Sequence, residues 1–247
     1  MKRSFLPIND LAFEPYNAVL GYPHPTTRLV KSRIAELEKL QITSVAFWGQ
    51  VRLGTLDVLG KGYSGVAVIA RYKKKTIALK IRRIDSKRPT LITEAKMLSA
   101  ANDLGVGPKI IAYSKNFIVM EYLDGQTVGR WAENGASSKN DILRIILEDC
   151  YKLDMGGLDH GELSRISKHA IIGKHTTLID FEGASNKRRI ANVTSASQSF
   201  FIGSYTAKML GKICKAPRKS KLVTALRRYK ENPQRSTFDE LLCVMGL

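Results

Sequence analysis

The chain has few cysteines and no long hydrophobic segment. Its three cysteines, Cys150, Cys214 and Cys243, are far apart and lie among apolar residues. An odd number of widely separated cysteines argues against a disulfide framework or a zinc site, so we expect buried thiols. No apolar run approaches the roughly 18 residues that a membrane-spanning helix needs, and no signal-peptide pattern opens the sequence. These absences predict a soluble, cytoplasmic protein without membrane contact.

Acidic residues are also scarce, since 22 Asp and Glu face 40 Lys and Arg and give a formal net charge of +18. Much of the excess comes late in the chain, at Lys187, Arg188, Arg189, Lys212, Lys215, Arg218, Lys219, Lys221, Arg227, Arg228 and Lys230. Such an excess favours contact with RNA or a ribonucleoprotein. A basic bias of the whole proteome or a solvated helix face would give the same pattern, and few aromatic residues are interleaved with the basic ones. The chain is 44% hydrophobic over 247 residues, which is enough for a sizeable globular core.

A glycine-rich segment lies between two strand-like runs, 51–59 and 66–72. It consists of Gly60, Lys61, Gly62, Tyr63, Ser64 and Gly65. No helix opens after it, so we predict the turn of a β-hairpin and not a strand-to-helix phosphate loop. Its glycines would let the backbone approach a phosphate closely, although an ordinary glycine-rich hairpin has the same appearance.

A lysine and a glutamate follow at positions where the sequence predicts burial. Residues 76–82 are predicted to form a strand, and Lys80 lies in its apolar stretch. Residues 89–104 are predicted to form a helix, and Glu94 falls on the apolar face of that helix. A buried lysine needs an anionic partner, so we expect the two to pair. The alternative is that Glu94 lies at the helix edge and pairs with Lys96 or with solvent.

Two further helices are predicted outside this region. The first begins at Thr26 or Thr27 and runs to Leu40, followed by a strand over 44–48. The first 49 residues are interpreted as a docking element on the following domain, with a small nucleic-acid-binding appendage as the alternative. The second helix runs from Ser138 to Leu153 and has a wide apolar face that includes Ile145.

The glycine-rich segment, the lysine and the glutamate are followed by further motifs, and their order resembles that of the protein kinase family over roughly residues 50–185. The matching residues are Gly60, Gly62 and Gly65, then Ala78-Leu79-Lys80, Glu94, the strand and hinge 117–123, His160-Gly161-Glu162, and Asp180-Phe181-Glu182. The chain looks most like archaeal predicted serine/threonine kinases related to the RIO kinases and to the kinase of the KEOPS tRNA-modification complex.

The resemblance implies an α+β, kinase-like fold of two lobes with a reduced C-terminal lobe. It implies an N-terminal extension over 1–49, an N-terminal lobe over 50–123 and a C-terminal lobe with a basic tail over 124–247. No Ala-Pro-Glu triplet and no long activation segment follow Asp180, so a substrate would have to be recognised by another surface.

The resemblance also implies ATP, with Mg²⁺ or Mn²⁺, as the cofactors. The nucleotide-binding residues would be Gly60, Lys61, Gly62, Ser64, Gly65, Ala78, Lys80, Glu94, Glu121 and Leu123. Lys80 would hold the α and β phosphates, Glu94 would orient Lys80, and Asp180 would bind the metal ion. Glu162 falls where the family has its catalytic aspartate, and Ser167 falls where it has an asparagine metal ligand. Lys168 and His169, next to Ser167, either contact the transferred phosphoryl group or are surface residues.

The activity implied is transfer of the γ-phosphoryl group of ATP to a serine or threonine of a protein, which remains to be identified. The chain itself offers Thr194, Ser195, Ser197 and Ser199 as candidate autophosphorylation sites, although a polar loop explains them equally well. The substitutions at Glu162 and Ser167 leave two alternatives. One is an ATPase or a nucleotide-binding scaffold in ribosome or tRNA maturation, and the other is a kinase of small molecules.

Overall fold

A computed structural model describes residues 4–134, 139–211 and 216–247. It shows a mixed α+β protein whose main sheet is antiparallel, which confirms the predicted class. The chain divides into two compact units. The first comprises Met1–Lys96 and Lys109–Tyr122, and the second comprises Met97–Pro108 and Leu123–Leu247. The first 49 residues therefore belong to the first unit, and residues 97–108 belong to the second.

The helices and strands of the described residues have the following bounds. The strands are β1 Leu6–Pro7, β2 Ile42–Ala46, β3 Val51–Leu53, β4 Leu56–Val58, β5 Gly60–Lys61, β6 Gly65–Tyr72, β7 Lys75–Arg82, β8 Ile110–Tyr113, β9 Phe117–Glu121, β10 Gly125–Thr127, β11 Ala170–Gly173 and β12 Thr177–Leu178. The α-helices are α1 Ala18–Gly21, α2 Thr27–Lys39, α3 Ile92–Asp103, α4 Val128–Glu133, α5 Lys139–Met155, α6 Ile166–His169, α7 Asn192–Phe201, α8 Tyr205–Gly211, α9 Lys219–Glu231 and α10 Arg235–Met245. Short 3₁₀ turns occupy Ile8–Ala12, Leu163–Arg165 and Phe181–Gly183.

The first unit is built on a sheet with the strand order β1-β2-β6-β7-β9-β8, to which β5 is added through β6. Strand β7 pairs along its length with β6 and over most of it with β9, so Lys80 lies on an interior strand. The apolar residues of β6 and β7 are almost all buried. This confirms the predicted strand over 76–82 and places its lysine in a low-dielectric setting.

The run 51–59, predicted as one strand, is a small hairpin of β3 and β4. Gly54 adopts a φ of +61° at its turn, a conformation that glycine takes without the steric cost of a side chain. The chain reverses at Gly54. The first two residues of the glycine-rich segment, Gly60 and Lys61, then form β5 and pair with β6. The strand prediction was therefore wrong in its bounds.

The N-terminal segment contributes directly to the sheet, because β2 pairs antiparallel with β6. Helix α2 begins where it was predicted, and the Thr26 hydroxyl accepts a hydrogen bond from the Leu29 amide at 3.4 Å. Such a cap satisfies one of the free amide groups at a helix start. The predicted strand over 44–48 begins two residues earlier, at Ile42.

An unexpected feature of the first unit is a buried arginine on α2. The Arg33 guanidinium donates hydrogen bonds to the carbonyl oxygens of Leu20 and Arg82, the second at 2.7 Å. Burial lowers its pKa to about 10, with Arg82 contributing in the same direction. Glu36, one turn along α2, accepts hydrogen bonds from the backbone amide and the side-chain amide of Asn116, at 3.0 and 2.7 Å. The helix is thus joined by polar contacts to the end of β7 and to the turn between β8 and β9.

The core of the second unit is helical. Helix α5 confirms the prediction for 138–153 apart from its first residue, Ser138, which lies outside the described residues. The buried face of α5 includes Leu143, Ile146, Leu147 and Cys150, whereas Ile145 is exposed and was wrongly assigned to that face. The prediction of buried thiols is right for Cys150 and wrong for Cys243, which is exposed, and Cys214 lies outside the described residues.

Asp154, at the end of α5, makes side-chain hydrogen bonds to two other helices of the second unit. Its carboxylate accepts hydrogen bonds from the amide and side chain of Asn192, both at 2.9 Å, and from the hydroxyl of Tyr229 at 2.8 Å. Burial raises the pKa of Asp154, while the Tyr229 hydrogen bond acts against that rise. One carboxyl group therefore connects the end of α5 with the start of α7 and with α9.

None of the helices in the described part of the chain has both the length and the apolar character needed to cross a membrane.

Candidate functional site

The glycine-rich turn joins β5 to β6 in the first unit. The Gly62 amide donates to the Gly65 carbonyl at 2.8 Å, which closes the turn. A Cβ built on Gly60 would meet no described atom within 4 Å, and one built on Gly62 would meet only the Gly65 carbonyl oxygen, at 3.8 Å. The space above these two residues is open, so a ligand could contact the backbone there.

Arg83, just past β7, supports this turn from one side. Its backbone amide donates to the Ser64 carbonyl at 2.8 Å and its guanidinium donates to the Gly62 carbonyl at 2.9 Å. The same guanidinium forms a paired contact with Asp85 and lies 4.9 Å from the centre of the Tyr22 ring. The turn is therefore held by several contacts, which limits the freedom that its glycines would otherwise give it.

Lys80 and Glu94 form the predicted ion pair, with 2.6 Å between Nζ and Oε1. Their side chains are only 10% and 6% exposed. A Cβ added to Gly65 would come within 3.0 Å of Lys80 Cγ and Cε, so the glycine lets the turn lie directly against the lysine stem. The alternative, an edge position for Glu94 with Lys96 or solvent as its partner, is wrong because Glu94 is buried. A cation held in this way is positioned for an anionic ligand at the glycine turn.

Three further residues predicted to bind the nucleotide lie on β7, at the end of β9 and just after it. Ala78 is buried on β7 opposite Met120. Glu121 ends β9, and its backbone amide donates to the Lys109 carbonyl at 2.8 Å. Leu123 is the first residue of the second unit after β9. The assignment of these residues to nucleotide binding stays a prediction.

The second unit brings together Glu162, His169 and Asp180. Each offers one nitrogen or oxygen atom, and these atoms all lie within 4.8 Å of one another. His169 Nε2 is 3.1 Å from Glu162 Oε2. Two carboxylates and an imidazole at this separation match the donor types that divalent metal ions select.

The local backbone explains how each of these side chains is placed. Asp180 follows the short β12 and adopts a left-handed conformation with φ of 67°, which is uncommon for a residue other than glycine. Glu162 comes from the loop before Leu163, and a Cβ on Gly183 would come within 2.9 Å of its Cγ. His169 ends α6 immediately before β11, and the Ile179 amide donates to its carbonyl at 2.9 Å.

His160 lies behind this cluster and is fully buried. Its Nε2 is 3.0 Å from the Ile179 carbonyl oxygen, and its ring is 4.9 Å from that of Phe181 and 5.5 Å from that of His169. Burial lowers the pKa of His160 to about 4. Burial also lowers the pKa of His169, while Asp180 and then Glu162 act in the opposite direction. Both imidazoles are therefore held mainly neutral near pH 7, the form in which a ring nitrogen can bind a metal ion.

Arg188, predicted only as part of a basic run, has a structural role. Its Nε donates to Asp159 Oδ2 at 2.6 Å, and its Nη2 donates to the Gly183 carbonyl at 2.9 Å. The guanidinium passes across Gly161, where an added Cβ would lie 2.2 Å from Nη2. Arg188 thus fixes the loop that carries Glu162 to the loop after Asp180.

The family resemblance implied a metal ligand at Ser167, but the residue that the structure groups with the two carboxylates is His169. A Cβ added to Gly129 would come within 3.3 Å of the Ser167 Cβ, so that serine packs against α4. Lys168 is exposed, whereas His169 is buried, so the surface interpretation is wrong for the histidine. Its position directly before the apolar run 170–172 was the available clue.

The serines and the threonine proposed as phosphorylation sites lie on α7 and not in a polar loop. Ser197 and Ser199 are buried there.

No family model matches the chain, and no curated protein is significantly similar to it.

Proposed function

We propose that the chain is a phosphotransferase of the protein-kinase-like, two-lobed class with a reduced C-terminal lobe. In particular, we propose an atypical, RIO-like serine/threonine kinase that uses ATP and a divalent metal ion. The observation that carries the proposal is the buried Lys80–Glu94 pair at 2.6 Å, against which the glycine turn lies at Gly65. A desolvated lysine next to open backbone at a glycine turn is suited to bind phosphate.

The residues fit the cofactors that this activity needs. Gly60 and Gly62 leave space for phosphate oxygens, and Lys80 supplies a fixed positive charge. Glu162, His169 and Asp180 supply donor atoms for a divalent ion. When bound, that ion would neutralise negative charge on the phosphoryl oxygens.

Phosphate binding and proton transfer are carried out by side chains of this chain. Lys80 binds the α and β phosphates, and Glu94 keeps the ammonium group in one position. Glu162 accepts the proton of the attacking hydroxyl, which becomes a better nucleophile as the proton leaves. Phosphoryl transfer needs mainly positioning and charge stabilisation from a protein, so these few groups suffice.

A second candidate is an ATPase or a nucleotide-binding scaffold that acts in ribosome or tRNA maturation. The observation that favours it is the basic, exposed side of α9, where Lys219, Lys221, Arg227 and Lys230 are all exposed. Such a surface is suited to RNA phosphates. A small-molecule kinase is the third outcome that the same experiment separates.

The test is incubation of the purified chain with γ-labelled ATP and Mg²⁺ or Mn²⁺, followed by measurement of label on protein and of free phosphate. Asp180→Ala should abolish transfer, and Glu162→Ala should lower it on the order of a hundredfold or more, because it removes the proton acceptor. Asp103→Ala changes an exposed carboxylate at the end of α3 and should leave transfer unchanged. Free phosphate without labelled protein would favour the ATPase, and label on an added metabolite would favour the small-molecule kinase. ATP binding with neither transfer nor release would leave the scaffold.

A further inference from the structure

We propose that Glu162, His169 and Asp180 form a three-ligand site for a first-row transition-metal ion such as Mn²⁺, and that this ion binds before and without nucleotide. The proposal rests on the site used for the proposed function, but it assigns that site a metal preference that an all-oxygen site would not have. It also makes His169 a ligand, a role that the family resemblance implied for Ser167.

The separations suit a single ion. Ligand atoms at about 2.0–2.2 Å from one metal lie about 3 Å apart when adjacent and at most about 4.4 Å apart when opposite. His169 Nε2 and Glu162 Oε2 are 3.1 Å apart, and all three donor atoms lie within 4.8 Å of one another. A separation of 4.8 Å would have to shrink by about 0.4 Å for two ligands on opposite sides of the ion, and by roughly 1–2 Å for adjacent ligands. The Glu162 side chain is 30% exposed and can supply that movement.

The imidazole sets the metal preference. Mg²⁺ is a hard ion that takes oxygen ligands and keeps much of its water, whereas Co²⁺ and Zn²⁺ accept imidazole nitrogen readily and Mn²⁺ is the weakest of the first-row ions at such a site. The His169 side chain is only 7% exposed, so its nitrogen is largely desolvated before any ion arrives. A site with one fixed nitrogen and two carboxylates should therefore select the softer ions.

Each of the two histidines has a ring nitrogen whose hydrogen bonding is incomplete. Nδ1 of His160 and Nδ1 of His169 are both buried and have no hydrogen-bond partner among the described residues. The two rings meet edge to face at 5.5 Å next to the carboxylates. Buried polar atoms without partners usually indicate a water molecule that completes the network. These Nδ1 atoms are distinct from His169 Nε2, so an ion bound at Nε2 would not supply their partners. A simple hydrogen bond from His169 to Glu162 also fits 3.1 Å, and the test below separates the two.

Metal binding leaves Glu162 able to act on a substrate. Its Oε2 faces His169, while its Oε1 is 4.0 Å from Arg165 Nη2. One oxygen can therefore bind the ion while the other accepts the proton of a hydroxyl group.

The experiment uses the full chain, stripped of metal and without nucleotide. Calorimetric titration should give one Mn²⁺ per chain, bound at least about tenfold more tightly than Mg²⁺ because of the imidazole ligand. Co²⁺ added as a spectroscopic probe should develop a visible absorption band on binding. His169→Asn should weaken Mn²⁺ and Co²⁺ binding at least about tenfold, since even outer partners of a metal site contribute about 10–100-fold. It should leave Mg²⁺ binding nearly unchanged.

His175→Asn is the matched control, because His175 is an exposed imidazole in the turn between β11 and β12 and should have no effect. Asp180→Asn provides a second ligand variant, and circular dichroism checks that each variant is folded. Absence of Mn²⁺ binding to the folded wild-type chain, or equal binding by folded His169→Asn, would overturn the proposal. Tight Mn²⁺ binding together with no phosphoryl transfer would sink the kinase assignment and leave the metal site standing. Phosphoryl transfer with Mg²⁺, together with no metal binding in the absence of nucleotide, would overturn the metal-site proposal and leave the kinase assignment standing.

Discussion

Gly157 and Gly161 both have positive φ values, +73° and +85°, but differ in what surrounds them. A Cβ on Gly157 would meet no described atom within 4 Å. A Cβ on Gly161 would lie 2.2 Å from Arg188 Nη2 and 2.5 Å from the Gly183 carbonyl oxygen. The arginine end could move, but the carbonyl belongs to the backbone of the loop after Asp180. Substitution at Gly161 therefore combines backbone strain with a steric clash.

We predict that Gly157→Ala lowers the free energy of unfolding by about 1–2 kcal/mol, which is the strain of the left-handed backbone alone. Gly161→Ala should lower it by roughly 1–3 kcal/mol more because of the clash. It should also disturb the loop that carries Glu162, so that phosphoryl transfer falls in the Gly161 variant and not in the Gly157 variant. Urea unfolding and the labelled-ATP assay measure the two effects. Equal losses of stability in the two variants would show that the clash is relieved by movement of the chain.

At the scale of elements, Asp154 connects α5, α7 and α9 through hydrogen bonds from Asn192, Val193 and Tyr229. Its raised pKa has a defined consequence for stability. The native carboxyl group keeps its proton at pH values where the unfolded chain has already lost it. The stability that this proton confers is complete below the unfolded pKa of about 3.9 and is lost as the pH rises through the native pKa.

We predict that Asp154→Asn, which cannot ionise, gains stability relative to the wild type as the pH rises from about 4 towards neutrality. The measurement is urea unfolding of both proteins across this range, with the difference between them plotted against pH. Asp103→Asn, at an exposed site, should give a difference that stays flat. A difference that moves the opposite way would mean that the hydrogen bonds to Asp154 outweigh its burial and lower its pKa.

The elements that were predicted well are those whose local sequence agrees with their packing. Strand β7 and helix α2 have clear apolar periodicity, and Thr26 marks the start of the helix. Glu94 could be predicted as the partner of Lys80 because each would be costly to bury alone. The hairpin of β3 and β4 was missed because its apolar residues follow the pattern expected of a single strand. Only Gly54 distinguishes a hairpin from a single strand in this run.

The parts that could not be predicted depend on contacts between distant residues. Arg33 occurs where a surface residue is expected on α2, and its carbonyl partners at Leu20 and Arg82 have no mark in the sequence. His169 was weighed as a phosphate contact or a surface residue because counting from Glu162 pointed to Ser167. The one-turn helix α6, which ends at His169, carries the chain past that position.

At the scale of the whole molecule, the 22 acidic residues cannot balance the 40 basic ones, so a net charge of +18 remains whichever ion pairs form. Arg188 pairs with Asp159, Arg228 with Glu240, and Arg235 with both Glu148 and Asp239. The late basic run therefore contains structural arginines as well as exposed lysines. Lys219, Lys221 and Lys230 on α9 are exposed and available to a polyanion.

We predict that the chain binds single-stranded RNA with an affinity that falls steeply as salt increases. Replacement of Lys219, Lys221 and Lys230 by Gln should reduce the slope of log K against log salt by about 0.7 for each RNA phosphate that is no longer neutralised. Fluorescence anisotropy of a labelled oligonucleotide measures the slope. The control variant loses the same three charges on α2, by replacement of Arg28, Lys31 and Lys39 with Gln. These residues are exposed on the first unit. Equal reductions in the two triple variants would indicate attraction by net charge alone, and α9 would not be an RNA-binding surface.

The polar network around Arg33 has a consequence for the history of the chain. Arg33, Glu36 and Asn116 share hydrogen bonds across helix α2 and the turn between β8 and β9. Loss of Glu36 removes the acceptor of both Asn116 amide groups, and loss of Arg33 or Asn116 removes further hydrogen bonds of the network, so each single replacement lowers stability. In diverging lineages we therefore expect these three positions to be inherited together or exchanged together, even though 80 residues separate Glu36 from Asn116.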